Sequence, residues 1–502
     1  MRIRLYLKNA ALLTAGGFAL RGLGMVFRVL IASYLGGEGM GLYQLILAVY
    51  GVFVALASAG VNVASTRLAA QSLARGRGMA PTLWGLVSAA SCLGTVAMLA
   101  QFALAPLIAH WCLHDVRAEL GLRVLAPSLP FLAVSGALRG CFLARRRVGP
   151  NITAQLFEQL SRMTIALGAL RLLHSWGAAY ASAAVLIGNT ASEALSCLLM
   201  ALFARAEAAF RPQAADPAKG FALRELWAIA WPVGSSRLLV SALQAVESSL
   251  IPLCLTVYLG QRGAAVAQYG AMKGMALPLV FFPFSVLSAL SGLLMPEIVR
   301  AHTRKDRTGE NRLIDAAMRL TGLFAALAGA GLVLFGEPAA CLLFDDAAAG
   351  TYVRLLGWIA PFMYFESMVD GILKGLGEQL ATFRYTVLDS ALRIFLIVLL
   401  VPQYGLTGFL GVMVCSNLLT CLLNTRRMLR RTGMRAAWLA WFAGPAALAL
   451  LGAALTLAVR QIVADSAAGW LAQGFVFLAG AGGPAALLLS KNRELVQARR
   501  RA

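Results

Sequence analysis

The sequence predicts an all-α integral membrane protein of about fourteen transmembrane helices, built as two parallel six-helix halves followed by two extra helices. Three observations predict it. The 502 residues are 60% hydrophobic and 13% charged, with a mean hydropathy of +0.75, whereas soluble domains carry about 25% charged residues. Apolar runs long enough to cross a bilayer, which takes about 20 residues, recur along the whole chain. The chain also repeats itself: Tyr34-Leu35-Gly36, Glu158 with Arg162, and Asn189 recur as Tyr258-Leu259-Gly260, Asp389 with Arg393, and Asn417, at offsets of 224, 231 and 228 residues. Six spans per repeat start both halves on one side, so an axis along the membrane normal relates them, as in transporters whose site lies between the halves.

In order, the first span is expected at 9–34, an apolar run interrupted by Arg21 and Arg28; mostly apolar runs at 41–66, 81–109 and 121–143 follow. The fifth, 151–173, carries Glu158 and Arg162, and the sixth, 179–204, carries Asn189 and Glu193. The seventh, 226–257, is the repeat partner of the first and contains Arg237 and Glu247; the eighth, 265–295, holds Lys273 between Gly270 and Gly274. The ninth is 313–336; the tenth, 352–375, carries Glu366, Asp370 and Lys374. The eleventh and twelfth, 382–401 and 406–425, close the second repeat, and 437–459 and 468–490 lie outside it. The expected domains are therefore 1–205, a cytoplasmic linker 206–225, a second bundle 226–431, and 432–502 as two further helices with a basic tail. Pro232, Pro252, Pro278, Pro283 and Pro361 are expected to interrupt spans and mark kinks.

The net charge of +22 does not indicate nucleic acid, because the cations sit in short loops between apolar runs. Arg2, Arg4 and Lys8, then Arg67, Arg75 and Arg77, then Arg145 to Arg147 fall on one side, as do Arg300, Arg304, Lys305, Arg307 and Arg312, the run Arg426 to Arg435, and the C-terminal tail. On the opposite side 36–40 and 402–405 have no Lys or Arg, and Arg262 is alone in its loop. By the positive-inside rule both termini are cytoplasmic. The first apolar run is too long, and lacks a cleavage site, for a signal peptide. The eight cysteines show no metal or disulfide spacing. There is no phosphate-binding GxxxxGK[ST] loop, which excludes an ATPase. The longest loop has about twenty residues, so function is expected within the membrane.

Arg21 and Arg28 are the central candidates. A charge at mid-membrane costs about 2.5–3.5 kcal/mol on insertion scales and tends to face a cavity or a partner. Seven residues return the helix to the same face about 10 Å along its axis, which stacks two anion-binding forks. Snorkelling to the interfaces is the plainer alternative, easier for Arg28 than for Arg21. Glu158–Arg162 and Asp389–Arg393 are spaced to neutralise themselves on one helix face, a structural role. Arg237 and Glu247 are too far apart to pair, about 15 Å, so Glu247 needs a bound cation, a proton or another partner. Lys273 either closes an anionic cavity or snorkels outward. Asp370 is expected to pair with Lys374, leaving Glu366 over; Glu247, Asp389 and Glu366 are the candidates for a coupling ion.

Arg21-Gly-Leu-Gly-Met-Val-Phe-Arg28, Tyr-Leu-Gly-Gly-Glu-Gly-Met-Gly-Leu-Tyr at 34–43, the Tyr-Gly, Leu-Pro, Phe-Pro and Leu-Met-Pro-Glu-Ile punctuation of 264–300, Ile372-Leu-Lys-Gly-Leu-Gly377 and Tyr404-Gly-Leu-Thr-Gly408 together resemble the stage V sporulation protein B group of polysaccharide exporters. That group belongs to the multidrug/oligosaccharidyl-lipid/polysaccharide (MOP) flippase superfamily. The resemblance implies a V-shaped, alternating-access transporter with undecaprenyl-diphosphate-linked sugars, lipid II among them, as substrate. It also implies that first-span arginines, here Arg21 and Arg28, meet the diphosphate, with Lys273 as the basic residue of the eighth span; the second span has no basic counterpart within the membrane.

The expected function is thus a lipid-linked oligosaccharide flippase, with Arg21, Arg28, Lys273 and Arg237 as substrate-binding residues. No cofactor is expected beyond Na+ or H+ as coupling ion, and the expected partners are the anionic lipid-linked substrate and membrane lipids, with the protein a monomer. A multidrug/cation antiporter of the same superfamily needs a carboxylate-lined cavity instead, and a non-transporting scaffold for wall synthesis would not need the arginines. No exposed carboxylate pair marks a membrane enzyme.

Overall fold

The computed structural model describes residues 2–58, 60–75, 79–207, 210, 223–461, 469 and 472–481. Most of the expected linker 206–225, half of the fourteenth span and the basic tail lie outside these residues. Among the described residues every regular element is helical: α1 (Arg2–Ser58), α2 (Val61–Ala74), α3 (Met79–Leu107), α4 (Ala118–Leu125), α5 (Ser128–Ala144), α6 (Gly149–Leu173), α7 (Ala178–Ala206) and α8 (Leu223–Leu259). There follow α9 (Arg262–Tyr269), α10 (Leu277–Thr303), α11 (Arg307–Phe344), α12 (Ala347–Gly357), α13 (Ala360–Gly375), α14 (Gln379–Thr432) and α15 (Gly444–Arg460).

Nine stretches of described residues are long and apolar enough to cross a membrane, from Ala15–Ala74 to Leu439–Arg460. Two of them hold two expected spans each. Helix α1 kinks at Gly36 (φ 60°, ψ −172°) and α14 at Gly405 (φ 57°, ψ −135°), and both glycines fall in the loops expected to lack cations. Gly260, which follows the repeated Tyr-Leu motif after α8, is also at positive φ (73°), a region that residues with a Cβ avoid. The sequence repeat therefore preserves a positive φ at its glycine. Helix α6 stays off the apolar set because Glu158, Arg162 and Arg171 dilute its hydropathy. The tenth span is divided into α12 and α13.

The prolines differ in part from expectation. Pro232 and Pro252 lie inside α8, and Pro283 and Pro296 inside α10. Pro278 follows on the π turn Gly270–Ala276 within one continuous helical run and interrupts it as expected, whereas Pro361 occupies the second residue of α13, where the missing N–H has no intrahelical partner to lose.

By internal contacts the chain forms two units: residues 1–275 with 390–409, and 276–389 with 410–502. In the first, the second half of α1 is the buried centre, with Met40, Leu42, Leu45 and Ile46 fully covered. There Gly270 sits against the backbone of Gly37 and Gly41, so closely that a Cβ would overlap it. A π turn, Gly270–Ala276, joins α9 to α10 at this approach. In the second unit α11 packs along α12, α13 and α15. The Trp441 indole N–H donates to Asp315 Oδ1 at 2.8 Å, and the Tyr364 hydroxyl donates to the Val280 carbonyl between Pro278 and Pro283.

Candidate functional site

In the first unit the Gly36 kink sets the site. Arg28 and Tyr43 are fifteen residues apart, about 22 Å on a straight helix, yet Tyr43 lies within electrostatic reach of both Arg28 and Arg162. Arg28 is half-buried and Arg21 exposed. Among the described residues no carboxylate is within ion-pair distance of Arg28.

The deeper charges are matched. Glu158 on α6 accepts from Arg162 Nη2 at 2.7 Å through Oε1, and from Arg139 Nη2 on α5 at 2.7 Å through Oε2. Arg162 Nη2 also approaches Glu193 of α7 at 3.7 Å. Arg139 donates further to Ser196 Oγ at 3.0 Å, and Tyr50 shares a 2.6 Å hydrogen bond with Ser128. Arg139 has no i,i+4 partner of its own in the sequence. Its position inside the expected fourth span, near the Glu158 end of the fifth, is the signal that points to it.

A second group in the same unit joins α8, the π turn and α14. Arg393 Nη1 lies 3.3 Å from Glu247 Oε1 and 3.5 Å from Oε2. Glu247, for which a cation or proton was one expected partner, is buried and faced by this guanidinium. Lys273 interacts electrostatically with both. Arg237 is exposed on α8 and makes no ion pair among the described residues.

The second unit carries the remaining carboxylates. Asp370 pairs with Lys374 at 2.6 Å, as their spacing leads one to expect, and Glu366 accepts from Asn424 Nδ2 at 3.0 Å. Asp389 is buried and accepts from the Ser416 hydroxyl. Glu366 interacts electrostatically with Asp370, Asp389 and Lys374. No group of three or more His, Cys, Asp or Glu side chains among the described residues is disposed to hold a metal ion.

A further network, unforeseen, lies at the Gly36 end of the first unit. Arg117 donates to Glu38 Oε1 at 2.7 Å and to both Asp115 oxygens at 2.9 Å, and Arg262 donates to the Leu113 carbonyl. The hydrogen bonds that Arg117 donates to Asp115, then to Glu38, hold its pKa above the ordinary value although burial opposes them.

Three comparisons bear on what such charges serve. The family model described as "Polysaccharide biosynthesis protein" matches residues 6–302. Stage V sporulation protein B of Bacillus subtilis (strain 168) is 25% identical over 429 residues, covering 84% of this chain and 82% of that protein. Among solved structures, a lipid II flippase MurJ in an inward closed conformation matches with a TM-score of 0.76 at 13% identity, over 97% of this chain and 100% of that one. An inward-facing multidrug resistance MATE family transporter of the MOP superfamily matches with a TM-score of 0.62 at 15% identity, over 84% of this chain and 96% of that one.

Proposed function

The chain belongs to the polysaccharide biosynthesis protein family of the MOP superfamily, and on that premise we propose that it flips an undecaprenyl-diphosphate-linked oligosaccharide across the bacterial plasma membrane by alternating access. It is a multi-pass membrane protein with a transporter fold. One observation carries the substrate: among the half-buried cations of the first unit, Arg139, Arg162 and Arg393 each meet a glutamate, while Arg28 has a tyrosine beside it and Lys273 shares Glu247 with Arg393. Unmatched cations in a membrane span call for an anionic ligand. A diphosphate suits them, since guanidinium forks bind phosphate oxygens in a bidentate manner.

In this reading Arg28, with Arg21 along the helix and Tyr43 as a further donor, holds the diphosphate. Lys273 and Arg237 supply the other positive contacts, and the polyprenyl chain stays in lipid. Lipid II is the first substrate to test. The halves 1–205 and 226–431 act as the two moving bundles, both termini are cytoplasmic, and the protein works as a monomer without nucleic acid. Glu247, Asp389 and Glu366 are the groups through which a Na+ or H+ gradient would act.

The carboxylates Glu366, Asp370 and Asp389 favour a second reading, a multidrug/cation antiporter, but Lys374, Asn424 and Ser416 already engage them. One experiment separates the two readings and a scaffold role: complementation of a strain depleted of its lipid II flippase. The wild-type chain is expected to restore growth and the double variant R21A/R28A to fail, with Arg28→Lys intermediate because a lysine keeps the charge and loses the fork. Equal rescue by the double variant removes the anion-site assignment.

A further inference from the structure

The turn between α10 and α11 and the end of α14 border an open pocket of about 530 Å³ lined by His302, Lys305, Arg307, Glu310, Arg431 and Thr432. It lies wholly within the second unit and shares no residue with the charges assigned to transport. Its electrostatics are one-sided. Three permanently cationic side chains line it against one carboxylate, Glu310, which is buried and already within 3.2 Å of His302 Nδ1. Of the nearby acids, Asp306 accepts from the Gly309 N–H at 2.9 Å, and Glu378 pairs with Arg427 at 2.7 Å and with Arg431 itself at 3.2 Å, so that among the described residues Lys305 and Arg307 are the lining cations without an ion pair.

The backbone adds an independent sign. Lys305 N–H donates to the His302 carbonyl and Asp306 N–H to the Ala301 carbonyl, both at 3.0 Å, and Lys305 has φ 58°. That is the Schellman ending of a helix, in which the left-handed residue is usually glycine. A lysine here holds a cation over the cavity against its own backbone preference. Strain of this kind gathers at ligand clamps.

We propose that this cavity binds a phosphate ester, as a site separate from the one that holds the transported diphosphate. Its volume is in the range of sites for small molecules rather than bare ions, so the phosphate carries a glycerol- or sugar-sized substituent. Two sources offer that chemistry at the end of a membrane helix: a soluble phosphomonoester and the headgroup of an anionic phospholipid.

The test uses purified full-length protein in nanodiscs, with the variants K305G and R307Q. In discs of phosphatidylcholine alone, glycerol 3-phosphate is titrated by calorimetry. In discs with added phosphatidylglycerol, the lipid retained on the protein is counted by native mass spectrometry. Binding in the first arm identifies a soluble ligand and retention in the second a lipid; in either, each variant is expected to weaken binding about tenfold through loss of a charge-assisted contact. K305G gives the left-handed position a residue that prefers it, so its unliganded unfolding temperature stays equal or rises, and its loss of binding is not misfolding. No binding in either arm, or binding that both variants leave unchanged, overturns the proposal. Neither result touches the transport reading, which depends on Arg28.

Discussion

Glu158 shows how much rests on single side chains. It is 13% exposed and holds two guanidiniums at 2.7 Å, one on each oxygen. Glu158→Gln leaves Arg139 and Arg162 facing each other with only Glu193 for compensation. Breaking a buried pair from one side costs about 3–5 kcal/mol. The variant is therefore expected to unfold at a clearly lower temperature in detergent, and Glu158→Asp at an intermediate one; an unchanged transition would mean that the cluster is solvated and inessential. The sequence showed Glu158 and Arg162 as a self-sufficient pair because i,i+4 spacing is visible in one dimension. Arg139 enters from another helix, nineteen residues earlier, and only packing reveals it. In the same way Glu247 looked partnerless, because Arg393 is 146 residues away in the chain.

At the scale of elements, the spans were legible because apolar length is local, and the expected runs up to the thirteenth fall on helices. The breaks within them were less so. In the tenth span the break at Trp358 and Ile359 does carry a local mark, since Gly357 ends α12 just before it and Pro361 is the second residue of α13 just after it. The π turn Gly270–Ala276 has no sequence mark beyond its glycines. One of those glycines has a measurable role. A Cβ on Gly270 meets the Gly37 carbonyl and the Gly41 backbone, neither of which is a flexible side-chain end. Gly270→Ala must push apart two backbone segments, and overpacking of this kind costs about 1–3 kcal/mol or more. Its level in the membrane fraction is expected to fall well below wild type, whereas Gly168→Ala in α6, where nothing lies within 4 Å, should match wild type. Similar levels for the two would show that the close approach yields easily.

For the molecule as a whole, the charge bias that sets orientation is carried by many loops, so no single residue decides it. Cations on the sparse side have structural duties: Arg117 ties Glu38 to Asp115, and Arg262 reaches the Leu113 carbonyl. The opposite side holds clusters beyond local need, such as Arg145 and Arg147 on one Glu207, or Arg427 and Arg431 on one Glu378. Since insertion counts Lys and Arg and is little affected by acids, those clusters are expected to stay in the cytoplasm. Alkaline phosphatase fused after Glu38 should then be active and fused after Arg147 inactive, with a fluorescent protein giving the reverse. In the proposed function orientation also sets the side of entry: a precursor made inside the cell would enter from the arginine-rich face before its diphosphate could reach Arg28. A reversed fusion pattern would overturn the cytoplasmic placement of both termini and, with it, entry of the proposed cargo from the arginine-rich face.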